Sequence, residues 1–299
     1  MAVSVVIPAI NEADCIQRAV RTAWDAGAAE VIVVDGGSVD NTPRKARAVD
    51  AKVLNSRAGR AAQQNFGAMA ATSEIVLFQH ADCWLGPTSL EQIEAAFQHR
   101  PDRFVGAFRQ SIEAIGFRYR LLEAGNLWRA RVWGVPYGDQ GIFFQRQFFV
   151  DAGQFPDVPI MEDLLLMLVI RQLHWPVILN GPLHVDARRW QCRGVVTQTF
   201  RNWSLVAARH LGVSPEVLAR FYPRHDSDQR DGMCRAASSN VPIDEKPAGE
   251  PAQRRSGDDR VGSRTFVDSS NRHRPLNDRR ESTGGDGFCG QVSTVQSPE

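Results

Sequence analysis

Apolar runs alternate with helix-forming segments along the first two thirds of the chain. The apolar runs predict strands at 3–7, 30–34, 52–54, 75–79 and 104–108. Helical stretches lie between them, near 12–26, 43–50, 58–71 and 88–99. The run 31–34 contains no polar residue, which is typical of a strand covered on both faces. The repeated strand–helix order predicts an α/β fold with a doubly wound, mostly parallel sheet flanked by helices.

A second series of elements follows. The pattern predicts a helix over 112–133, a short strand at 142–144, a helix over 162–173, strand pieces at 177–179 and a helix over 197–210. From His225 the composition changes to small and polar residues with few large apolar side chains. Such a segment buries too little apolar surface to offset its ordering entropy. We therefore expect one domain over 1–224 and a disordered tail over 225–299, although a translated frameshift would give a similar composition.

Composition limits the classes of function. The chain has 299 residues, of which 43% are hydrophobic, and this is ample for a sizeable core. Its net charge of +1 gives no electrostatic case for nucleic acid. The five cysteines form no CxxC pair, so neither a zinc site nor a disulfide framework is indicated. Without a leader-like start or a long apolar run, the sequence predicts a cytoplasmic protein with reduced thiols.

Asp35 follows the apolar run 31–34 and precedes two glycines. The next helix starts only at Thr42 and Pro43, with threonine predicted at its N-cap, so Asp35 lies too early to cap it. Ligands of open α/β sheets bind at the carboxyl ends of strands. A carboxylate there can accept hydrogen bonds from a nucleobase or ribose, and glycines allow close approach of a ligand. The alternative is an acid that structures the loop as an Asx-turn.

The first strand leads into the sequence PAINEAD. Pro8 is predicted to stop the strand, and Asn11 and Glu12 to open a helix. Glu12 can face a ligand because it lies beside the strand ends. Asn11 with Asp14 also makes a plausible capping box, which would give these residues a structural role instead.

The fourth strand leads into FQHADCWLGPTSLE. Thr88 and Glu91 form a capping box for the next helix, so Asp82, six residues earlier, needs another explanation. A carboxylate at the end of a buried strand suits a hard divalent cation that bridges to substrate phosphates. His80 either assists Asp82 or packs against the sheet.

Arginines and further acids complete the candidate site. Arg57 and Arg60 flank a glycine before a helix, where they either contact a phosphate or base or remain solvated. Glu162 and Asp163 occupy the first turn of a predicted helix, where acids offset the helix dipole regardless of function. Further candidate residues are Asp139 and Gln140 in YGDQG, and the cluster Arg188, Arg189 and Trp190. Dinucleotide and P-loop glycine motifs are missing from the sequence.

Taken in order, the segments IPAINE, VIVVDGGSVDNT, GRAAQQNFGAMAA, LFQHAD, GDQGIFFQR, MED and RRW resemble the family 2 glycosyltransferases. The resemblance covers about residues 3 to 222 and is greatest to the bacterial subgroup labelled radical-SAM/selenodomain-associated transferase 2. In that subgroup HAD stands where other relatives carry Asp-x-Asp. The resemblance implies a GT-A fold with a Rossmann-like sheet, in which 1–110 is the nucleotide-binding half and 111–224 the acceptor-side half.

The resemblance also implies roles for individual residues. Glu12 and Asp35, with Pro8, Asn11 and Arg60, would bind the nucleotide of a nucleotide-sugar donor. Asp82 would hold Mg²⁺ or Mn²⁺, and Asp163, in the pair with Glu162, would be the general base. The acceptor or phosphate side would contain Asp139, Gln140, Arg189 and Trp190. With one base and no evident nucleophile, the reaction expected is inverting transfer of a sugar to a hydroxylated acceptor.

Two other functions stay open from the sequence. A catalytically silent nucleotide-sugar-binding module is the main alternative, because many of the acids have a structural explanation. A sugar-phosphate nucleotidylyltransferase is disfavoured, because no glycine-rich segment with Arg and Lys opens the chain.

The segment 112–133 has two interpretations. Its aromatic and aliphatic residues stand among Arg118, Arg120, Arg129 and Arg131, which suits a helix at a membrane surface. Such contact would bring the protein to a lipid acceptor at the inner face of the membrane. The alternative is a helix packed into the core beside the acceptor groove.

Overall fold

The computed structural model describes residues 2–99 and 104–221. By its internal contacts the chain divides into Met1–Ile243 and Asp244–Glu299. Everything described below belongs to the first of these units. The predicted tail, 225–299, lies outside the described residues.

A single sheet of eight strands runs through the described part of the chain, in the order β3-β2-β1-β4-β7-β6-β8-β5. The strands are β1 (Val3–Ala9), β2 (Glu30–Asp35), β3 (Lys52–Asn55), β4 (Ile75–Phe78), β5 (Cys83–Leu85), β6 (Val105–Ile112), β7 (Ile142–Gln145) and β8 (Val177–Val185). The pairs β1–β2, β2–β3, β1–β4 and β6–β8 are parallel. β7 is antiparallel to β4 and β6, and β5 is antiparallel to β8. The predicted α/β fold with a mostly parallel sheet is confirmed.

Helices connect and cover these strands. They are α1 (Ile16–Asp25), α2 (Thr42–Arg47), α3 (Arg60–Ala70), α4 (Ser89–His99), α5 (Phe117–Trp133), α6 (Arg146–Asp151), α7 (Glu162–Leu173), α8 (Arg188–Arg193), α9 (Val195–His210) and α10 (Pro215–Ala219). A short 3₁₀ turn, Gly138–Gln140, precedes β7. No helix in the described ranges combines the length and apolar character needed to cross a membrane.

Adjacent strand residues enter different apolar layers. Val5 and Val33 belong to one buried cluster, with the large side chains of Phe104 and Phe143. Val6 and Val34 belong to a second cluster, with Phe78 and its aromatic neighbours. Because the side chains of a strand alternate between faces, a strand buried on both faces needs apolar residues at every position. This explains the uninterrupted apolar run of β2.

The predicted start of α1 is wrong. The helix begins at Ile16, and Asn11 has a left-handed φ of 55° in the loop before it. Its side-chain Oδ1 accepts a hydrogen bond from Val39 N at 2.9 Å instead of capping α1. The partner is 28 residues away along the chain, so no local pattern predicts it. α2 contains Pro43 in its first turn as predicted, but Asn41 rather than Thr42 occupies its N-cap.

Pro8 does not stop β1, which continues to Ala9 in register with Asp35 of β2. On its other edge, β1 pairs with β4 only from Val3 to Val6. Beyond Val6 the strand therefore has no ladder partner on that edge, and a proline that lacks an N–H is tolerated there.

Candidate active site

The carboxylate of Asp35 shapes the loop after β2. Asp35 is only 4% exposed, and its Oδ2 accepts hydrogen bonds from Gly37 N and Ser38 N at 3.1 Å each. Its Oδ1 accepts a further bond from Ser38 Oγ. This is the loop-structuring arrangement that the sequence left as an alternative. Gly36 is explained by packing, because a Cβ there would lie 2.6 Å from the side chain of Ile10.

The loops after β1 and β2 form one unit. Asn11 N donates to Ser38 Oγ at 2.9 Å, and Glu12 N donates to Thr42 Oγ1 at 2.8 Å. The Asn11 Oδ1 bond to Val39 N adds a third link. The loops carrying Glu12 and Asp35 are therefore positioned together.

Gln63 holds these strand ends against α3. It is 2% exposed, and its Nε2 donates to Ala9 O at 3.0 Å and to Val34 O at 2.7 Å. The helix lies close enough that a Cβ at Gly67 would be 2.4 Å from Val6 Cγ1. The sequence analysis missed Gln63, although a glutamine among the buried alanines of α3 is a visible signal.

Arg188 gathers acids from three elements. Its Nε lies 2.8 Å from Asp186 Oδ2, and its Nη2 lies 3.8 Å from Glu12 Oε2. The same Nη2 donates to Cys15 Sγ at 2.9 Å. Burial acts to lower the pKa of Arg188, but the surrounding groups, Asp82 among them, outweigh it and raise the pKa. The guanidinium therefore stays charged and compensates a negatively charged edge of the sheet.

Burial raises the pKa of the Cys15 thiol to about 12, against a lowering effect of Arg188. Glu12, Asp186 and Asp82 also raise it. The thiol is therefore neutral at physiological pH and serves as a partner of Arg188 rather than as a nucleophile.

His80, Asp82 and Cys83 bring one ligand atom each within 4.8 Å of one another. Asp186 N donates to Asp82 O at 3.0 Å, which fixes the HAD segment to the end of β8. Cys83 is fully buried in β5, and a thiol is a soft ligand that suits neither Mg²⁺ nor Mn²⁺. The carboxylate, with the oxygens of a bound diphosphate, suits either ion, and the imidazole is a softer nitrogen donor beside it.

Asp163 lies directly beside this group. Its Oδ2 accepts a hydrogen bond from Gly138 N at 2.6 Å, and its Oδ1 accepts one from Leu164 N at 2.7 Å. A Cβ on Gly138 would lie 2.7 Å from His80 Nε2 and 3.3 Å from Asp163 Oδ2. The glycine therefore leaves room for the imidazole and the carboxylate on one side of the 3₁₀ turn.

Glu162 faces away from this space. It is 2% exposed, and its Oε1 lies 3.3 Å from Arg60 Nη1. Burial raises the pKa of Glu162, Arg60 opposes the rise, and Asp163 adds to it. The ion pair joins the first turn of α3 to the first turn of α7.

Gln140 and Asp139 occupy the 3₁₀ turn before β7. Gln140 is fully buried: its Oε1 accepts bonds from Tyr137 N at 3.1 Å and from Arg129 Nη2 at 2.8 Å. Its Nε2 donates to Phe108 O at 3.4 Å. The main-chain oxygen of Asp139 accepts a bond from Gln110 Nε2 at 3.0 Å. Gln140 therefore supports the turn that carries Gly138.

Trp190 lies in the core of the domain. Trp190 is 5% exposed and belongs to the same apolar cluster as Val5 and Val33. The side chain of Arg189 lies outside what the structure describes. Arg188, which the sequence indicated only as part of a cluster, and Asp186, which no sequence pattern indicated, both reach the acid-lined edge.

The structure thus brings together most of the predicted polar residues, at the carboxyl ends of β1, β2 and β4. The fold is a mixed sheet with helices on both faces, and its polar residues gather at the carboxyl ends of the strands. Together these two features define the class of α/β proteins that bind nucleotides at this edge. Residues 4–155 match the model of glycosyl transferase family 2, and the chain belongs to this family. The predicted family is confirmed. A comparison with curated protein sequences gives no match.

Solved structures similar to this chain include S. aureus TarS. TarS 1-349 in complex with UDP-GlcNAc has a TM-score of 0.50 and 18% identity, over 62% of this chain and 58% of that chain. TarS 1-349 alone has a TM-score of 0.52 and 19% identity, over 82% and 77%. The chain thus spans less than two thirds of the first of these structures. At such identities the likeness supports the GT-A fold alone.

Proposed function

We propose that the protein transfers a sugar from a nucleotide-sugar donor to a hydroxylated acceptor with inversion at the anomeric carbon, and that Asp163 is the general base. The observation that carries this proposal is the position of Asp163. Gly138 N holds its carboxylate at 2.6 Å, on the side of the turn where His80 and Asp82 lie. A base beside the donor's diphosphate site is what a single displacement needs.

The surroundings of Glu162 support a single displacement. A retaining mechanism through a covalent intermediate needs a second carboxylate that reaches the anomeric carbon. Glu162 is buried against Arg60, so only Asp163 of this pair is available to substrates. Asp163 would take the proton of the acceptor hydroxyl as the oxygen of that hydroxyl attacks the anomeric carbon. The bond from that carbon to the diphosphate breaks, and the nucleoside diphosphate leaves with the bonding electron pair.

A divalent ion, Mg²⁺ or Mn²⁺, would be held by Asp82 with His80. Bound there, it would neutralise the negative charge that develops on the leaving diphosphate. Arg188 and Arg189 would add positive charge on the same side. Cys83 would not be a ligand of this ion, and its buried thiol would be part of the core.

Glu12 and Asp35 would contact the nucleoside, with Pro8, Asn11 and Arg60 around it. The bonds of Asp35 modify this role. Because its carboxylate already holds the 36–38 loop, Asp35 would act partly by shaping the nucleoside site rather than by contact alone. Asp139, Gln140 and Trp190 would then form the support of the acceptor side.

The finer placement of the protein is part of the same proposal. We assign it to the radical-SAM/selenodomain-associated transferase 2 subgroup. The reaction would be hexosyl transfer in the cytoplasm, and the acceptor would be a hydroxylated molecule with a lipid part. These assignments rest on the sequence motifs and on the surface described in the next section.

A screen of nucleotide-sugars for donor hydrolysis, with Mg²⁺ or Mn²⁺ and with chelator, tests the proposal. Asp163→Asn should lower turnover by about 100-fold or more while nucleotide affinity, measured by calorimetry, stays unchanged. Asp82→Asn should abolish the metal-stimulated part of the rate and weaken Mn²⁺ binding. The control is Asp151→Asn, which changes an exposed aspartate of α6.

The same screen separates the enzyme from a silent binding module. The module remains an alternative because Asp35 and Glu162 both have structural partners. Nucleotide-sugar binding without any turnover, for every donor and acceptor mixture tried, would favour the module. Full wild-type activity in chelator would remove the metal from the proposal.

A further inference from the structure

The longest helix of the described ranges, α5, presents an apolar stripe to solvent. In its 17 residues only Ala130 is fully buried. Five large apolar side chains are half or more exposed, and four of them share one side of the helix: Phe117 at 78%, Leu121 at 61%, Trp128 at 55% and Val132 at 50%. The fifth, Trp133 at 53%, is the last residue of the helix. The interpretation of 112–133 as a core-packed helix is therefore wrong for most of its surface.

The spacing of these four residues makes one continuous line. Positions 117, 121, 128 and 132 fall within about 60° of arc on a helix of 3.6 residues per turn. The opposite side of α5 packs on the protein: Tyr119 and Leu122 contact the core, and Glu123 accepts a bond from Ile112 N at 2.6 Å. The stripe is therefore the face turned away from the domain. From Phe117 to Val132 the stripe is about 22 Å long.

Arginines stand on both sides of the stripe. On the helical projection Arg118 lies next to one edge, and Arg120 and Arg131 lie next to the other, all three exposed. The helix contains four arginines and one glutamate, so its net charge is +3. The glutamate, Glu123, is 14% exposed and paired with Arg120 at 2.9 Å.

The end of α5 adds aromatic surface. The rings of Trp128 and Trp133 lie 5.3 Å apart, and Trp175, 49% exposed, donates from Nε1 to Arg131 O at 3.3 Å. Arg171 donates to Trp133 O at 3.1 Å. Tryptophan rings beside arginines match the boundary between headgroups and acyl chains, because such rings are apolar with one polar edge.

We propose that this face of α5 is a docking surface for an anionic lipid bilayer. The helix would lie in the plane of the interface, with the stripe among the acyl chains and the arginines at the headgroups. The charge selects this occupant over a second copy of the chain. An isologous contact through α5 would set the exposed Arg118 and Arg131 of one copy near those of the other, whereas anionic headgroups complement these charges. The inference does not depend on the proposed chemistry.

Co-sedimentation of the full chain with vesicles tests the surface. The vesicles are phosphatidylcholine alone, or phosphatidylcholine with a minority of phosphatidylglycerol, each at low and high salt. We expect binding to the anionic vesicles that weakens with salt. Val132→Asp should weaken it on the order of tenfold, since a charge replaces an inserted side chain. The matched control, Val169→Asp, changes a valine of α7 that is 51% exposed, and it should bind like wild type.

A second variant tests the electrostatic contribution to vesicle binding and leaves the apolar stripe unchanged. Reversing Arg118 and Arg131 to glutamate should remove at least the effect of two surface charges, each worth about fivefold in affinity. Unchanged melting temperatures would establish that both variants fold. No binding to anionic vesicles at low salt, or equal losses in Val132→Asp and Val169→Asp, would overturn the proposal. So would a wild-type dimer in light scattering that Val132→Asp converts to monomer.

Discussion

Glu162 and Asp163 are neighbours in the chain with opposite surroundings. Glu162 is enclosed and paired with Arg60, while Asp163 accepts bonds from Gly138 N and Leu164 N at the open side of the 3₁₀ turn. Successive residues of a helix point about 100° apart, so one first turn can place one acid inward and the next at the site. The same pair thus supplies both a link between α3 and α7 and the proposed base.

Replacement of Glu162 by glutamine should change the pH dependence of stability. Burial raises the pKa of Glu162 above its ordinary value of 4.5, so the folded state holds this proton more tightly than the unfolded state. Ionisation therefore removes stability as the pH rises from about 4.5 through the folded-state pKa. Glutamine cannot ionise, so the melting temperature of Glu162→Gln relative to wild type should increase across that window.

Melting curves at a series of pH values measure this difference, with Glu74→Gln as the control at an exposed glutamate before β4. A difference that stays constant, or that decreases with pH, would show that the ion pair with Arg60 outweighs burial.

At the scale of elements, the contact of α3 with the sheet positions the site. Gln63 supplies the hydrogen bonds of α3 to Ala9 O and Val34 O, in a buried setting. A buried carbonyl left without a donor costs about 1–3 kcal/mol. Ala9 O keeps a second bond, from Gly36 N at 3.0 Å, which limits the loss there. Gln63→Leu should therefore destabilise the domain by about 1–2 kcal/mol in urea denaturation.

The same change should weaken nucleotide affinity, because the loops of Glu12 and Asp35 start at Ala9 and Val34. Gln17→Leu on α1 is the control, since Gln17 donates only a long bond of 3.4 Å to Lys45 O. Equal stability of Gln63→Leu and wild type would show that the two carbonyls find other donors.

Sequence patterns predicted the long helices and strands. They missed short elements that are stabilised by residues distant in the sequence. The apolar runs of β1, β2 and β4 and the periodic segments of α3, α4 and α7 were found, because their burial is visible in adjacent residues. β5 and α8 were missed, since each has six residues or fewer and is fixed by neighbours in space. The start of α1 was wrong because Asn11 bonds to the loop after β2.

The candidate site was also predicted where adjacent residues carry the signal, and missed where a contact joins distant parts of the chain. Glu12, Asp35 and Asp82 follow strands, so the topology of parallel strands brings them to one edge. Arg188 was named only as part of a cluster, because its reach to Glu12 depends on the rotation of a six-residue helix. Gln63 was missed because its partners, Ala9 O and Val34 O, lie on strands distant in the sequence. Asp186 was missed because the bond from its N to Asp82 O joins distant parts of the chain.

At the level of the whole molecule, the described residues of the two apolar clusters and those packed against them run from Val3 to Val206. The composition of 225–299 predicts that it adds little to either cluster. A chain ending at Arg224 should therefore keep its melting temperature within about 2–4 °C, the shift that about 1 kcal/mol gives in a domain of this size. It should also keep its donor-hydrolysis rate. Calorimetry of the two purified chains measures the first, and a larger loss would show that residues after Arg224 contribute to the folded domain.

The order of strands has a consequence for the growing chain. β6 ends at Ile112, but both of its neighbours in the sheet, β7 and β8, come later in the sequence. During synthesis β4 and β6 therefore each wait with an unpaired edge until β7, at Ile142–Gln145, has left the ribosome. Exposed apolar edges of this kind are where nascent proteins aggregate or recruit chaperones. A slowing of translation between β6 and β7 would lengthen this exposure, whereas a pause after β8 would not.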